Sequence, residues 1–313
     1  MYCVLQLRNI SAPKPGKGEV LIAVRAAAVD AGVWHLMSGR PYLLRLMGYG
    51  VRAPKVRVRG REVAGRVEAV GEGVTAFRVG DEVFGICEGS FAEYTSARQD
   101  KLAHKPAGLP LEQAAALPTS GLTALQALRD AGRVRSGQRV LVIGAAGGVG
   151  TFAVQLAKAY GAHVTGVCST GKTELVRSLG ADETIDYTRE EFADGTRHYD
   201  LVLDTAGGRT LTHLRRALTP RGTLVIVGGE GGGRWLGGID RVLRAVLLSP
   251  FVRHTLKGFV AVERKADLDV LKQHVEDGTL IPAVQRTCSL EGAAEAAEEL
   301  HRGGARGKIL VTP

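Results

Sequence analysis

The sequence is poor in the features that mark several classes of protein. Its 313 residues include four cysteines, Cys3, Cys87, Cys168 and Cys288, and no two of them have the CxxC spacing of a redox site or a zinc ribbon. No apolar run approaches the roughly 18 residues that predict a membrane span. The first eight residues also lack the basic and apolar stretches of a signal peptide. Cysteines this sparse are typical of a reducing compartment, so a cytoplasmic protein is expected.

The basic residues are scattered, although the net charge is +9. No run of five or six basic residues occurs, and no aromatic residues are interleaved with basic ones to form a platform for nucleic acid. We therefore interpret the charge as a solvated surface, with the alternative that it steers an anionic cofactor. Nucleic acid is not expected as a partner. The length suits two domains of roughly 150 residues each.

The pattern of the chain changes from β-type to alternating β and α. The first hundred residues have short β-branched runs between Gly and Pro turns, whereas Leu111–Arg129 has helical periodicity. From residue 139 onward, apolar strands alternate with helices. The predicted strands are Arg139–Ile143, His163–Cys168, Thr184–Tyr187, Tyr199–Thr205, Thr223–Gly228 and Lys257–Val262. Six such strands predict a doubly wound parallel sheet.

The most informative motif joins the first of these strands to a helix. In the segment Ile143–Gly150, Gly147 and Gly150 occupy the second and third glycine places of G-x-G-x-x-G, while Ala145 replaces the first. The strand before it and the helix after it give the pattern its meaning. Gly147 lets the backbone approach a pyrophosphate, Gly150 lets the helix pack on the strand, and the helix start offers free N–H groups. The motif predicts a dinucleotide site.

The end of the second strand indicates which dinucleotide is bound. An NAD site presents Asp or Glu to the ribose 2′-hydroxyl about 20 residues past the glycines, but here the strand leads into Ser169 and Lys172 with no acid at that point. A serine hydroxyl can donate to a 2′-phosphate and a lysine can pair with it. NADPH is therefore predicted, with an ordinary polar turn as the alternative.

Several motifs, in their order along the chain, resemble the medium-chain dehydrogenase/reductase superfamily and its quinone oxidoreductase branch. Gly60–Val83 is similar to the signature G-H-E-x-x-G-x-V … V-G … G-D-x-V. The stretches that are similar to the branch are Ala115–Ala124, Gly144–Gly150, Asp204–Gly208 and Ala305–Lys308. The family also has a strand before the turn that contains Tyr2, so either the start codon lies upstream or one edge strand is missing.

The resemblance implies an α/β fold with two domains. Residues 1–120 and 263–313 would form a GroES-like β-rich catalytic domain, and residues 121–262 a Rossmann domain that binds NADPH. It implies a homodimer. The cofactor residues implied at the pyrophosphate are Ala146, Gly147, Gly148 and Val149; at the 2′-phosphate, Ser169, Lys172 and Tyr187; and at the nicotinamide, Thr123, Val227 and Gly228. Tyr187 could equally be a core aromatic, and Thr123 could cap a helix start.

The sequence departs from the zinc dehydrogenases of this superfamily at both catalytic ligand places. The histidine of G-H-E is Arg61, and the early segment Val29–His35 has no cysteine, so three zinc ligands cannot be assembled. No metal is therefore expected. Without a Lewis acid the acceptor has to be electron-poor, and the resemblance implies a quinone or an α,β-unsaturated carbonyl that takes hydride from NADPH.

A second departure is Asp30, which stands where the branch usually has Asn. An ionised Asp30 would oppose developing negative charge, a protonated one could donate a proton, and a structural alternative has it cap the turn into Val33–Met37. His35 and Tyr42 are other candidate donors, and Arg61 completes the candidate active-site residues. Two alternatives to the quinone reductase remain: an enoyl-thioester reductase, and a non-catalytic dinucleotide-binding protein with a structural or RNA-binding role.

Overall fold

The computed structural model describes residues 5–39, 41–44, 56–228, 233 and 235–313. The chain divides into two compact units. The first unit consists of the residues up to Gly39, Leu44–Leu122 and Val262–Pro313, and the second consists of Arg40–Leu43 and Thr123–Ala261. Tyr2 lies outside the described residues. No helix in the described part of the chain is both long and apolar enough to cross a bilayer.

The first unit is built on a sheet to which seven strands of the described residues contribute. Its order is β12-β13-β1-β2-β3-β5, with β4 paired to β1. The strands are β1 (Glu19–Val29), β2 (Glu62–Val70), β3 (Glu82–Ile86), β4 (Tyr94–Arg98), β5 (Leu102–His104), β12 (Val284–Ser289) and β13 (Lys308–Thr312). Val20, Ile22 and Val67 pack with Phe77 and Leu102 on one side of it, because alternate residues of a strand face the same side.

Helices cover other parts of this unit. They are α1 (Ala31–Ser38), α2 (Tyr42–Leu44), α3 (Leu111–Ala114), α4 (Pro118–Gln126), α9 (Lys265–Glu276) and α10 (Ala293–His301), of which α2 and α4 continue across the division between the units. The small residues Ala293, Ala296 and Ala297 let α10 pack closely against Val29 and Ile309. The helix therefore covers the residues through which β1 and β13 pair.

The second unit contains a six-stranded parallel sheet with the order β11-β10-β9-β6-β7-β8. The strands are β6 (Arg139–Ile143), β7 (His163–Cys168), β8 (Glu183–Asp186), β9 (Tyr199–Asp204), β10 (Leu218–Ile226) and β11 (Thr255–Gly258), and the helices are α5 (Gly148–Ala159), α6 (Thr173–Ser178), α7 (Leu211–Arg216) and α8 (Ile239–Leu248). In chain order this is the 3-2-1-4-5-6 arrangement of dinucleotide-binding sheets, which reverses between β6 and β9. The predicted doubly wound parallel sheet is confirmed.

Two predicted elements differ from the structure. The helical region predicted over Leu111–Arg129 is divided into α3, α4 and a wider helical turn over Ala127–Gly132. Pro118 begins α4, since proline lacks the N–H that would continue a helix through it. The strand predicted over Lys257–Val262 lies earlier, as β11, because its register with β10 ends at Gly258.

Candidate functional site

The glycine-rich turn lies at the carboxyl end of β6, beside the point where the strand order reverses. Gly144 has φ of 82°, and a Cβ at Gly150 would lie 2.1 Å from the Gly144 carbonyl oxygen. Gly150 therefore has to be glycine for α5 to start this close to the strand. Ala145 and Ala146 add only buried methyl groups to the turn, so its backbone is not covered by long side chains.

The start of α5 fits an anionic group. Gly147 precedes the helix in extended conformation, and no side chain caps it. The first N–H groups of a helix, here those of Gly148, Val149 and Gly150, have no partner within the helix. Together with the positive end of the helix dipole they attract negative charge. The residues present thus fit the pyrophosphate of a dinucleotide.

The residues predicted at the 2′-phosphate follow the ends of β7 and β8. β7 ends at Cys168, and Ser169 leads into a tight helical turn over Thr170–Lys172. Tyr187 follows β8, and its N–H donates to the Cys168 carbonyl at 3.2 Å. Its side chain is half-exposed, so the alternative that Tyr187 is a core aromatic is wrong. The carboxyl ends of the two adjacent strands β7 and β8 are therefore followed by Ser169, Lys172 and Tyr187.

An acid that the sequence analysis missed lies at the same edge. Asp186 is the last residue of β8 and pairs in register with Cys168. Its carboxylate accepts from the hydroxyl of Thr170 and from the N–H and hydroxyl of Thr188 at 3.0 and 2.7 Å. These hydrogen bonds, that of Thr170 first, lower the pKa of Asp186. The carboxylate thus holds the turn that carries Ser169 and Lys172.

The residues predicted at the nicotinamide lie on other elements. Val227 and Gly228 directly follow β10, and both of their N–H groups donate to the Asp204 carbonyl, at 2.9 and 3.1 Å. A Cβ at Gly228 would lie 2.3 Å from the Thr205 carbonyl oxygen, so no side chain fits there. Thr123 lies inside α4 rather than at its start, which excludes the helix-capping alternative.

Asp30 and His35 both lie at α1 in the first unit. Asp30 is buried, and its Oδ1 accepts from the Val33 N–H at 2.9 Å, so that it caps α1. Its Oδ2 is buried and has no hydrogen-bond partner among the described residues. His35 is half-buried on the helix. Tyr42 groups with the second unit instead, where its ring meets that of Trp235 edge-on, with centroids 5.3 Å apart.

Arg61, at the place of a zinc-binding histidine, is held in an ion pair. Its guanidinium donates to Glu263, and Lys101 joins the same residue with its Nζ 2.8 Å from the Glu263 carbonyl oxygen. Both partners of the Arg61 pair are about one-third exposed. Within the described ranges, no three His, Cys, Asp or Glu side chains are grouped so that they could hold a metal ion.

A buried ion pair beside β2 was not predicted. Lys308 Nζ donates to Glu62 and lies 3.3 Å from Ser120 Oγ, while Glu62 Oε1 accepts from the Thr119 N–H at 2.8 Å. Glu62 and Lys308 are almost completely buried. Both residues stand in recognised motifs, but no local signal shows that residues 246 positions apart meet.

Family models match both units. The model described as alcohol dehydrogenase GroES-like domain matches residues 16–107, and the one described as zinc-binding dehydrogenase matches residues 179–311. The predicted fold class, a GroES-like β-rich domain with a Rossmann domain, is thereby confirmed.

Curated relatives match nearly the whole chain. The mitochondrial NAD(P)H oxidoreductase RTN4IP1 of Mus musculus is 35% identical over 94% of this chain and 81% of its own length. The quinone oxidoreductase of Pseudomonas aeruginosa is 34% identical over 99% of this chain and 96% of its own.

Solved structures share the same architecture. The quinone oxidoreductase from Coxiella burnetii has a TM-score of 0.86 at 29% identity and covers 99% of this chain and 95% of its own. A mycobacterial protein determined in complex with NADPH has a TM-score of 0.82 at 28% identity, covering 98% and 95%.

Proposed function

The chain belongs to the quinone oxidoreductase branch of the medium-chain dehydrogenase/reductase superfamily, and from that premise we propose that it reduces a quinone or an α,β-unsaturated carbonyl with NADPH and without zinc. It is an oxidoreductase that uses a nicotinamide cofactor. In this proposal residues 1–120 and 263–313 form the catalytic domain, and residues 121–262 bind NADPH. The observation that carries the choice of NADPH is the end of β7, where Ser169 and Lys172 stand in place of an acid.

The residues of the second unit hold and orient the cofactor. The N–H groups at the start of α5, from Gly148 and Val149, donate to the pyrophosphate, with Ala146 and Gly147 forming the wall of the turn. Val227 and Gly228 face the nicotinamide through backbone groups, and Thr123 lies beside it. When bound, the nicotinamide supplies a hydride from its C4 atom. The contribution of these residues is orientation, which is worth up to roughly 7–11 kcal/mol of a reaction barrier.

The preference for NADPH rests on charge at the 2′ position. Ser169 donates a hydrogen bond to the phosphate, Lys172 supplies positive charge, and the half-exposed Tyr187 ring lies at the same edge. Asp186 is not at the place of the ribose acceptor of an NAD site, because it ends β8 rather than β7, and its carboxylate accepts from Thr170 and Thr188. The NADPH complex of the mycobacterial relative supports the same choice.

The active site works without a Lewis acid. Arg61 is engaged with Glu263 and its guanidinium has no lone pair with which to bind a cation. The charge that hydride transfer places on the acceptor is therefore stabilised by hydrogen-bond donors and removed by a proton. Candidate donors are His35, Tyr42 and Asp30, whose Oδ2 is not used in capping α1. The names of the quinone oxidoreductase relatives support the acceptor class.

A homodimer through the second unit is part of the proposal. β11 lies at the edge of the six-stranded sheet, and α8, which packs beside it, exposes Leu243 and Leu247, with Phe251 85% exposed just beyond. An edge strand that pairs with its own copy forms a two-fold interface and covers such a face. Light scattering after size exclusion should give a dimer, and Leu247→Glu a monomer. A parent protein that elutes as a monomer would contradict this.

The cytoplasm is the proposed compartment. Cys87, Cys168 and Cys288 are free thiols in the structure, as a reducing environment keeps them. Burial raises the pKa of the Cys87 thiol to about 12, which makes it unreactive.

The experiment that tests the function is a cofactor and acceptor panel. NADPH and NADH are each offered with a simple quinone, an enone and an enoyl thioester, and their oxidation is followed at the nicotinamide absorbance. We expect turnover of NADPH with the quinone or enone. Turnover restricted to the enoyl thioester would favour an enoyl reductase, whereas tight NADPH binding without turnover of any acceptor would favour a non-catalytic dinucleotide-binding protein.

A further inference from the structure

Asp204, a buried residue at the end of β9, connects two strand ends without being part of the cofactor motif. Its side chain is fully buried, and its Oδ1 accepts from the N–H groups of Ala206 and Gly207 at 3.2 and 3.1 Å. Its backbone oxygen accepts from the N–H groups of Val227 and Gly228. Asp204 therefore fixes both the turn after β9 and the turn after β10.

Arg241 reaches this carboxylate from α8. Its Nη1 lies 2.7 Å from Asp204 Oδ2, and its side chain is only 12% exposed. The same Nη1 donates to the Arg209 carbonyl at 3.0 Å, and Nη2 donates to the Gly228 carbonyl at 2.9 Å. A guanidinium presents several donors in a rigid plane. One side chain thus joins the helix to the ends of β9 and β10.

The pair determines which backbone group remains free for a ligand at Val227 and Gly228. Their two N–H groups are bound by Asp204, and the Gly228 carbonyl is bound by Arg241. The Val227 carbonyl has no donor among the residues that the structure describes. It is consequently the acceptor that these two residues can offer to a carboxamide N–H.

The segment Val227–Gly228 is also connected to the glycine-rich turn after β6. Thr205 follows Asp204, and its hydroxyl donates to the Ile143 carbonyl at 2.8 Å, directly before the glycine-rich turn. Gly228 lies against the Thr205 carbonyl so closely that no Cβ fits between them. Thr205 therefore contacts both the glycine-rich turn and Gly228, and Arg241 joins the same network from α8.

We propose that Arg241, held by Asp204, is a positioning residue that orients the Val227–Gly228 backbone toward the carboxamide of the nicotinamide. The inference rests on the proposed function, because it takes the nicotinamide to lie at Val227 and Gly228. Hydride transfer needs the reacting atoms about 3–3.5 Å apart, and a displacement of about 1 Å can cost roughly 100-fold in rate. Arg241 acts by excluding such displacements, without touching the cofactor.

The test compares Arg241→Met with Arg244→Met, a matched control on the same helix. Arg244 is 74% exposed and pairs with Asp240, at 3.0 Å. For Arg241→Met we expect kcat/KM with NADPH to fall about 10- to 100-fold. Adenosine 2′,5′-bisphosphate, which carries the 2′-phosphate and lacks the nicotinamide, should bind with unchanged Kd. Arg244→Met should resemble the parent in both measurements.

Arg241→Lys keeps the positive charge beside Asp204. It therefore distinguishes a local effect on turnover from unfolding of the protein. One ammonium cannot reproduce the planar arrangement of donors, so we expect NADPH turnover between that of the parent and that of Arg241→Met, with bisphosphate binding intact. Parental NADPH turnover in Arg241→Met would overturn the inference. Weakened bisphosphate binding in both Arg241 variants would overturn it as well, since this indicates general damage to the domain. A parent protein that fails to use NADPH refutes the proposed function itself.

Discussion

Removing the ammonium of Lys308 should destabilise the first unit by about 3–5 kcal/mol, the usual cost of breaking a buried ion pair from one side. Lys308→Met leaves the Glu62 carboxylate fully buried, with the Thr119 N–H as a remaining donor. Burial raises the pKa of Glu62, Lys308 opposes that rise, and the charge of Asp30 adds to it. Without Lys308, its ammonium no longer offsets the effects of burial and of Asp30 on the Glu62 carboxylate.

The magnitude can be measured by denaturation of the whole chain. For a unit of this size, a loss of about 3–5 kcal/mol lowers Tm by roughly 6–20 °C, and urea unfolding followed by circular dichroism should show it as an earlier transition. Lys265→Met is the matched control, because Lys265 pairs with Asp269 at 2.7 Å on an exposed helix surface. The loss of such a surface pair costs about 0.5 kcal/mol or less.

A second substitution identifies the cause. Adding Glu62→Gln to Lys308→Met removes the unpaired charge of the Glu62 carboxylate and keeps an acceptor for the Thr119 N–H. The double variant should therefore recover about 1–3 kcal/mol of the free energy of unfolding. Binding of adenosine 2′,5′-bisphosphate should be unchanged in all variants, since that site lies in the other unit. The reasoning is refuted if Lys308→Met stays within about 1 kcal/mol of the parent, or if the double variant is no more stable than the single one.

Three further predictions concern the chemistry. Lys172→Glu should erase or invert the preference for NADPH over NADH, which a charge-assisted hydrogen bond makes about 10- to 100-fold; equal use of both cofactors by the parent would count against Ser169 and Lys172. Prolonged treatment with a strong zinc chelator should leave turnover unchanged, whereas one stoichiometric, activity-linked zinc per chain would end the zinc-free mechanism. Asp30→Asn should keep the cap on α1, because the amide oxygen can accept from the Val33 N–H, and it should keep substantial turnover, because the amide can also donate a hydrogen bond; loss of all turnover in a folded variant would contradict this.

The second unit was largely predictable because its signals are local. A buried parallel strand is a continuous apolar run, and the glycines of Gly144–Gly150 mark the turn into α5 within a few residues. Element ends were less well placed: β11 ends at Gly258, since its bounds depend on pairing with β10 rather than on its own composition.

The long-range polar pairs could not have been found in one sequence. Glu62 and Lys308 both stand in motifs, as does Asp204, but motif position does not reveal a partner. Arg241 stands on α8, a helix for which no bounds were predicted. The place of Asp186 does not follow from the end of β7 alone, because Asp186 stands on the neighbouring strand and only the sheet register brings it beside Cys168.

The pairing of β13 with β1 has a consequence for biosynthesis. Ala27, Ala28 and Val29 pair with Val311, Leu310 and Ile309, which leave the ribosome about 280 residues later. At roughly 5–20 residues per second this is a wait of roughly 15–60 s, during which the second unit, continuous from Thr123 to Ala261 apart from one short early segment, is synthesised in full. An open strand edge is a template for pairing with other chains. The yield of correctly folded protein should therefore depend on what shields Ala27–Val29 during translation.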